Sequence, residues 1–85
     1  MNLEQLPQAL VEADKKDWGS IYALPAISEM NGNPYITVDV HAGDTTVKAY
    51  INKMIKDFGF KTKFDCKYSE GDTHCYNWFI TKISK

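Results

Sequence analysis

The stretch Asp44–Phe58 reads DTTVKAYINKMIKDF, and it decides the fold. Val47, Tyr50, Ile51, Met54, Ile55 and Phe58 recur at i, i+3, i+4, i+7, i+8 and i+11, which gathers them on one stripe of a helix. Gly43 precedes the stretch, and Asp44, Thr45 or Thr46 can cap its first turn through a side-chain oxygen. Gly59 is suited to the left-handed position that ends a helix, with Phe60 placed to pack back. Lys48, Lys53 and Lys56 fall off the stripe and are expected in solvent.

Upstream, Asn31-Gly32 sits between two β-rich runs, and both residues tolerate positive φ, as a two-residue hairpin loop requires. That loop pairs Ile27 with Ile36, Pro25 with Val38 and Ala23 with Val40, making one face apolar. The other face pairs Ser28 with Tyr35, Ala26 with Thr37, Leu24 with Asp39 and Tyr22 with His41. Pro25 has no N–H for a ladder, so the first strand belongs at a sheet edge.

Downstream, residues 60–68 and 73–83 read as a second hairpin turning at Ser69-Glu70-Gly71-Asp72. Lys61, Lys63, Asp65 and Lys67 alternate with Phe60, Thr62, Phe64, Cys66 and Tyr68, a half-buried pattern that also suits an edge. Cys75–Ile80 is apolar on both sides and suits an interior strand. A three-residue loop with Gly71 left-handed pairs Cys66 with His74 and Phe64 with Tyr76; the alternative, shifted by one, pairs Cys66 with Cys75. The first is preferred because the aromatic rings then share a face. At the N-terminus, Pro7 suits a first helical turn, so a short helix runs to Asp17, with Gly19 after Trp18 as its stop. These constraints give one α+β domain over residues 1–85, α-β-β-α-β-β, with a four-stranded antiparallel sheet in order 1-2-4-3 and the central helix on one face.

The 85 residues leave no room for a second core. No run approaches the ~20 apolar residues of a membrane span, and no basic, apolar leader opens the chain, so a cytoplasmic protein that avoids membranes is expected. The two cysteines are then expected as reduced thiols. The formal charge of −1 hides an asymmetry: residues 1–44 carry seven acids against Lys15 and Lys16, and residues 45–85 carry eight lysines against four acids. All ten basic residues are lysine, which argues against base-specific reading of nucleic acid, where the arginine fork excels.

Four arrangements bear on function. Asp65-Cys66 and His74-Cys75 bring thiols, an imidazole and a carboxylate to one hairpin, but adjacent strand residues face opposite ways, so three or four converging zinc ligands are not expected. Nothing beside either thiol lowers its pKa as a nucleophile needs, and Asp39 with His41 reads as a solvated strand face before it reads as an acid/base couple. No phosphate loop, nucleophile elbow or other catalytic motif is present, so neither an enzyme nor a cofactor is expected. Lys61, Lys63, Lys67 and Lys82 with Tyr68, Tyr76, Trp78 and Phe79 could track phosphates and stack bases. Finally, a sheet face left bare by the central helix would present Tyr22, Leu24, Tyr35, Thr37, Asp39 and His41, with Asn77 and Phe79 or, in the other register, Tyr76, Trp78 and Ile80. Whether the first helix covers that face decides between a hidden layer and a docking surface.

The sequence therefore points to a small non-enzymatic module that binds and inhibits another protein. Its arginine-free composition is compatible with a phage or mobile-element accessory protein acting on a host or defence factor. The alternatives are a domain binding single-stranded nucleic acid or RNA through the lysine and aromatic hairpin, and a structural homo-oligomer, such as a homodimer, joined at strand edges. The binding residues expected on the first two readings are Tyr22, Leu24, Tyr35, His41, Lys61, Lys63, Lys67, Tyr76, Trp78 and Phe79.

Overall fold

In the computed structural model, which describes residues 1–41 and 43–82, helix α1 (Leu6–Lys16) is followed by strands β1 (Ala26–Met30) and β2 (Asn33–Val40). Helix α2 (Thr45–Asp57) then leads to strands β3 (Phe60–Glu70) and β4 (Thr73–Lys82). The four strands form one antiparallel sheet in the order β1-β2-β4-β3. The expected α+β architecture and strand order are both present in this single domain. Ile83, the expected end of the last strand, lies outside the described residues.

Helix α2 forms where the apolar period placed it. Asp44 is its N-cap, accepting from the Val47 N–H at 2.8 Å, and Gly59 leaves the helix with φ 97°. Val47, Ile51 and Ile55 are buried against Ile36, Val38, Val40, Phe60, Tyr76, Trp78 and Ile80 of the sheet. Leu6 and Leu10 of α1 join the same cluster. Both helices therefore pack on one face of the sheet, α2 against β3 and α1 beside α2. Burial of these side chains stabilises the fold by about 1.5–3 kcal/mol for each large apolar residue.

The first hairpin follows its turn. Asn31 and Gly32 have φ 54° and 81°, and Ile27, Ser28 and Ala26 oppose Ile36, Tyr35 and Thr37 as the loop dictates. Pairing stops at Ala26, however, so the expected partners Pro25–Val38, Leu24–Asp39, Ala23–Val40 and Tyr22–His41 are replaced. The chain rejoins the sheet two residues out of step, where Ile21 bridges Val40, the Tyr22 N–H donates to the Asp39 carbonyl and the His41 N–H to Ser20. Residues 22–25 form the intervening loop. Pro25 is the physical reason, because its nitrogen carries no hydrogen to continue the ladder.

The second hairpin differs from both expected registers. Its loop has two residues, Gly71 and Asp72, with Gly71 at φ 61° in the first position, so Glu70 opposes Thr73 and Cys66 opposes Asn77 rather than His74 or Cys75. A β-bulge at Asp65 then absorbs one residue, and Phe64 opposes Trp78. The bulge keeps Thr62 and Phe64 on the helix side while swinging Cys66 and Tyr68 to the other face. Lys67 is carried to the helix side, where its ammonium donates to the Gly43 carbonyl at 2.8 Å.

Candidate functional site

Because both helices share one face, the opposite face of the sheet carries no helix. Across it the register lines up Ser28, Tyr35 and Phe79 with Lys63; Ala26, Thr37 and Asn77 with Cys66; and Asp39 and Cys75 with Tyr68. Neighbouring strands hold these side chains by cross-strand hydrogen bonds. Thr37 Oγ1 donates to Asn77 Oδ1 at 2.7 Å, and Asn77 Nδ2 donates to the Cys66 carbonyl at 3.1 Å. The Tyr35 hydroxyl donates to Asp65 Oδ2 at 2.5 Å, and its ring meets Phe79 edge to face at 4.9 Å. Burial and the Asp65 carboxylate together raise the Tyr35 pKa, so this phenol stays a donor. Along the middle strands of the face Tyr35, Asn77 and Cys75 are buried and hydrogen-bonded within the sheet, while Ala26 and Cys66 at its edges are exposed. Its remaining binding capacity lies at its two ends.

At one end, Tyr22 and Tyr68 are 58% and 52% exposed, the Tyr22 ring sits edge-on to His41 at 4.9 Å, and Leu24 is 62% exposed in the adjoining loop. Large apolar groups held this far out of the core are the material of protein contacts. At the other end, Lys61 and Lys63 flank Phe79, and with Asn33, Thr81 and the strand backbone they line a shallow depression of about 340 Å³.

The expected site residues divide accordingly. Tyr22 and His41 come together at one end with Leu24 nearby, and Lys61, Lys63 and Phe79 at the other. Tyr35 lies between them, but 5% exposed and committed to Asp65. Tyr76 and Trp78 are corrections: at 2% and 0% exposure they belong to the core under α2 and offer no ring to a partner. Lys67 is another, since the bulge separates it from Lys61 and Lys63. The thiols and imidazole are also separated. Cys66 and Cys75 lie on the open face, while His74 lies on the helix face and pairs with Ser69 Oγ at 2.8 Å. Burial and Asp39, whose carboxylate accepts from Cys75 Sγ at 2.9 Å, push that thiol's pKa up and keep it protonated. Asp39 is thereby occupied with Cys75, and His41 with Tyr22. Among the described residues no group of three potential metal ligands converges, and no helix is long and apolar enough to cross a membrane.

Sequence reasoning passed over Asp14. Its carboxylate is buried and accepts from the Ile21 N–H at 2.7 Å, the Ser20 N–H and Oγ at 3.0 Å each, and the Tyr50 hydroxyl at 2.9 Å. The signal was present: Leu6, Leu10 and Asp14 are spaced i, i+4, i+8, and a carboxylate on a buried stripe must find donors. This cluster anchors the segment that brings Tyr22 beside Asp39 and His41 at the sheet, with Leu24 following in the loop. Compared with protein-family models, curated proteins and solved structures, the chain has no significant match.

Proposed function

We propose that this chain is a small, non-catalytic binding module that docks another protein on its open sheet face. The observation that carries this reading is the placement of both helices on the other face. It leaves a four-stranded surface whose Tyr35, Thr37 and Asn77 are satisfied by hydrogen bonds within the sheet, with Tyr68 on it and Tyr22 and Leu24 in the adjoining loop exposed to solvent. Aromatic groups on a pre-ordered backbone lose little conformational freedom on contact, which favours association. An inhibitory role by occlusion, and a phage or mobile-element origin, find support only in the small size and the arginine-free composition.

The test is affinity capture from a lysate of the source organism, with identification of the bound protein and repetition with a Tyr22→Ser, Leu24→Ser, Tyr68→Ser variant shown to be folded by circular dichroism. The identified partner should be lost at least tenfold with the variant and kept at moderate salt. Undiminished capture by the variant would overturn the reading.

A second reading draws on the depression at the other end, where Lys61 and Lys63 flank Phe79 in an arrangement suited to a phosphate and a stacked base. It requires an oligonucleotide mobility shift at low salt that Lys61→Glu, Lys63→Glu abolishes. An unshifted oligonucleotide removes it.

A further inference from the structure

The two flanks of α2 have different surroundings. Tyr50 turns toward α1, where Trp18 stacks on it at 4.2 Å. Lys48, Asn52 and Lys56, spaced i, i+4, i+8, occupy the other flank and face β3, where Thr62 Oγ1 donates to Asn52 Oδ1. Between that flank and β3 runs a groove of about 400 Å³, lined by Thr45, Lys48, Asn52, Lys56, Thr62 and Phe64, with Trp78 at its floor.

Two side chains of the groove are left over from the fold. Trp78 is fully buried, yet its indole Nε1–H has no acceptor among the described residues, and an indole nitrogen can only donate. The Lys48 ammonium rests over the Phe64 ring at 3.7 Å rather than against a carboxylate. The one ion pair among the described residues is Lys53–Asp57, on the exposed side of α2. The lining thus offers donors and positive charge, and no acidic side chain contributes to it. Beside it, β3 is the edge of the sheet, hydrogen-bonded only to β4. The bulge at Asp65 divides that edge into two regular stretches, and the first, residues 60–64, contributes Thr62 and Phe64 to the groove.

We infer that this edge and groove are a docking site for an extended acidic segment of a partner protein, which adds to β3 as a fifth strand. Strand addition supplies main-chain hydrogen bonds, and alternate side chains supply the selectivity. Here both faces of the added strand meet lysines: Lys48 and Lys56 on the helix side, Lys61 and Lys63 on the open side. Lys48 and Lys56 are eight residues apart, about 12 Å along the helix axis. That is the separation of residues i and i+4 in an extended strand, which share a face. Trp78 also lines the groove, so its indole reports on whatever enters there. The same lysines reject a second copy of β3, which would set like charges against each other. The site shares no residue with the exposed end formed by Tyr22, Leu24 and Tyr68, and the inference does not depend on that end binding anything.

The chain has two tryptophans, so a nitrogen-15 spectrum shows two indole signals, and Trp18→Phe assigns the one from Trp78. The probe is a capped peptide, Glu-Glu-Val-Glu-Glu-Val-Glu-Glu, titrated into the intact protein. It should shift the Trp78 indole and slow hydrogen exchange of main-chain amides within residues 60–64. The Gln-for-Glu peptide should bind at least tenfold more weakly, and so should the acidic peptide to a folded Lys48→Glu, Lys56→Glu variant. The Tyr22→Ser, Leu24→Ser, Tyr68→Ser variant should bind the acidic peptide unchanged. The inference is overturned by an unmoved Trp78 indole at millimolar peptide, by equal binding of the neutral peptide, or by an unaffected lysine variant. An equal response to free glutamate would also overturn it, by marking a site for small anions.

Discussion

The Tyr50 hydroxyl donates to the Asp14 carboxylate at 2.9 Å, and this contact joins the two helices. Asp14 also gathers the N–H groups of Ser20 and Ile21, so a single carboxylate fixes the turn after α1, the flank of α2 and the point where the chain re-enters the sheet. Trp18, stacked on Tyr50 with ring planes 12° apart, covers the junction. Burial alone would disfavour the charge. The donors from Ile21, Ser20 and Tyr50 outweigh it and hold the Asp14 carboxyl below its ordinary pKa.

Replacing Asp14 by Ala removes the acceptor and strands the Ile21 N–H, the Ser20 N–H and the Tyr50 hydroxyl in a partly buried site. Hydrogen bonds to a charged group contribute about 1.5–3 kcal/mol, and unsatisfied donors add to the loss. The expected destabilisation is about 3 kcal/mol in urea unfolding. Tyr50→Phe, which removes one donor and leaves the others in place, should cost about 1.5 kcal/mol, the low end for a hydrogen bond to a charged group. Equal losses from the two variants would show that the main-chain donors contribute nothing.

The same carboxylate sets a pH dependence. Its folded pKa lies below the ordinary 3.8, so the unfolded chain takes up the proton first as pH falls, and the stabilisation is complete above about pH 5. It is lost as pH drops through the folded value. The urea midpoint should therefore fall on acidification from pH 4 toward pH 2, and Asp14→Asn should flatten that fall. A parallel decline in the wild type and Asp14→Asn would assign the acid sensitivity to other carboxylates.

The two thiols should differ sharply in reactivity. Cys66 is exposed beside the bulge, whereas Cys75 is buried, donates to Asp39 and has its pKa pushed up. Since the thiolate is the nucleophile, a chromogenic disulfide reagent should label one equivalent in the native protein and the second only on unfolding. Mass mapping should place the first label on Cys66. Prompt labelling of both would mean that the Tyr68 end of the open face opens readily.

The parts of the fold that local chemistry dictates were legible in the sequence. Asn31-Gly32 permits one tight loop and so fixes Ile27 against Ile36; the stripe from Val47 to Phe58 has one helical solution. The second hairpin was not legible, because Phe60, Thr62, Phe64, Cys66 and Tyr68 read as one unbroken face. A bulge at Asp65 changes which residues face the helix without changing the pattern on either side of it. That displacement moved Lys67 away from Lys61 and Lys63, and brought Cys66 and Tyr68 to the open face. The position of α1 depended on Asp14, whose donors come from 6, 7 and 36 residues away, beyond any local pattern.

Gly43 gives the sharpest packing test. A Cβ built there would lie 2.5 Å from Cγ and 2.6 Å from Nδ1 of His74, closer than real side chains approach. His74 has little freedom to withdraw, because its Nδ1 is paired with Ser69 Oγ and its backbone sits in the ladder of β4 against β2 and β3. Gly43→Ala should therefore destabilise by about 1–3 kcal/mol as an overpacked site, lowering the thermal midpoint by roughly 4–8 °C for each kcal/mol in a chain of this size. The His74→Ala, Gly43→Ala double variant separates steric conflict from a backbone effect. Truncating the ring clears the space, so the double variant should be no less stable than His74→Ala alone. If adding Gly43→Ala costs the same with and without the ring, the glycine is required by its backbone conformation rather than by contact with His74.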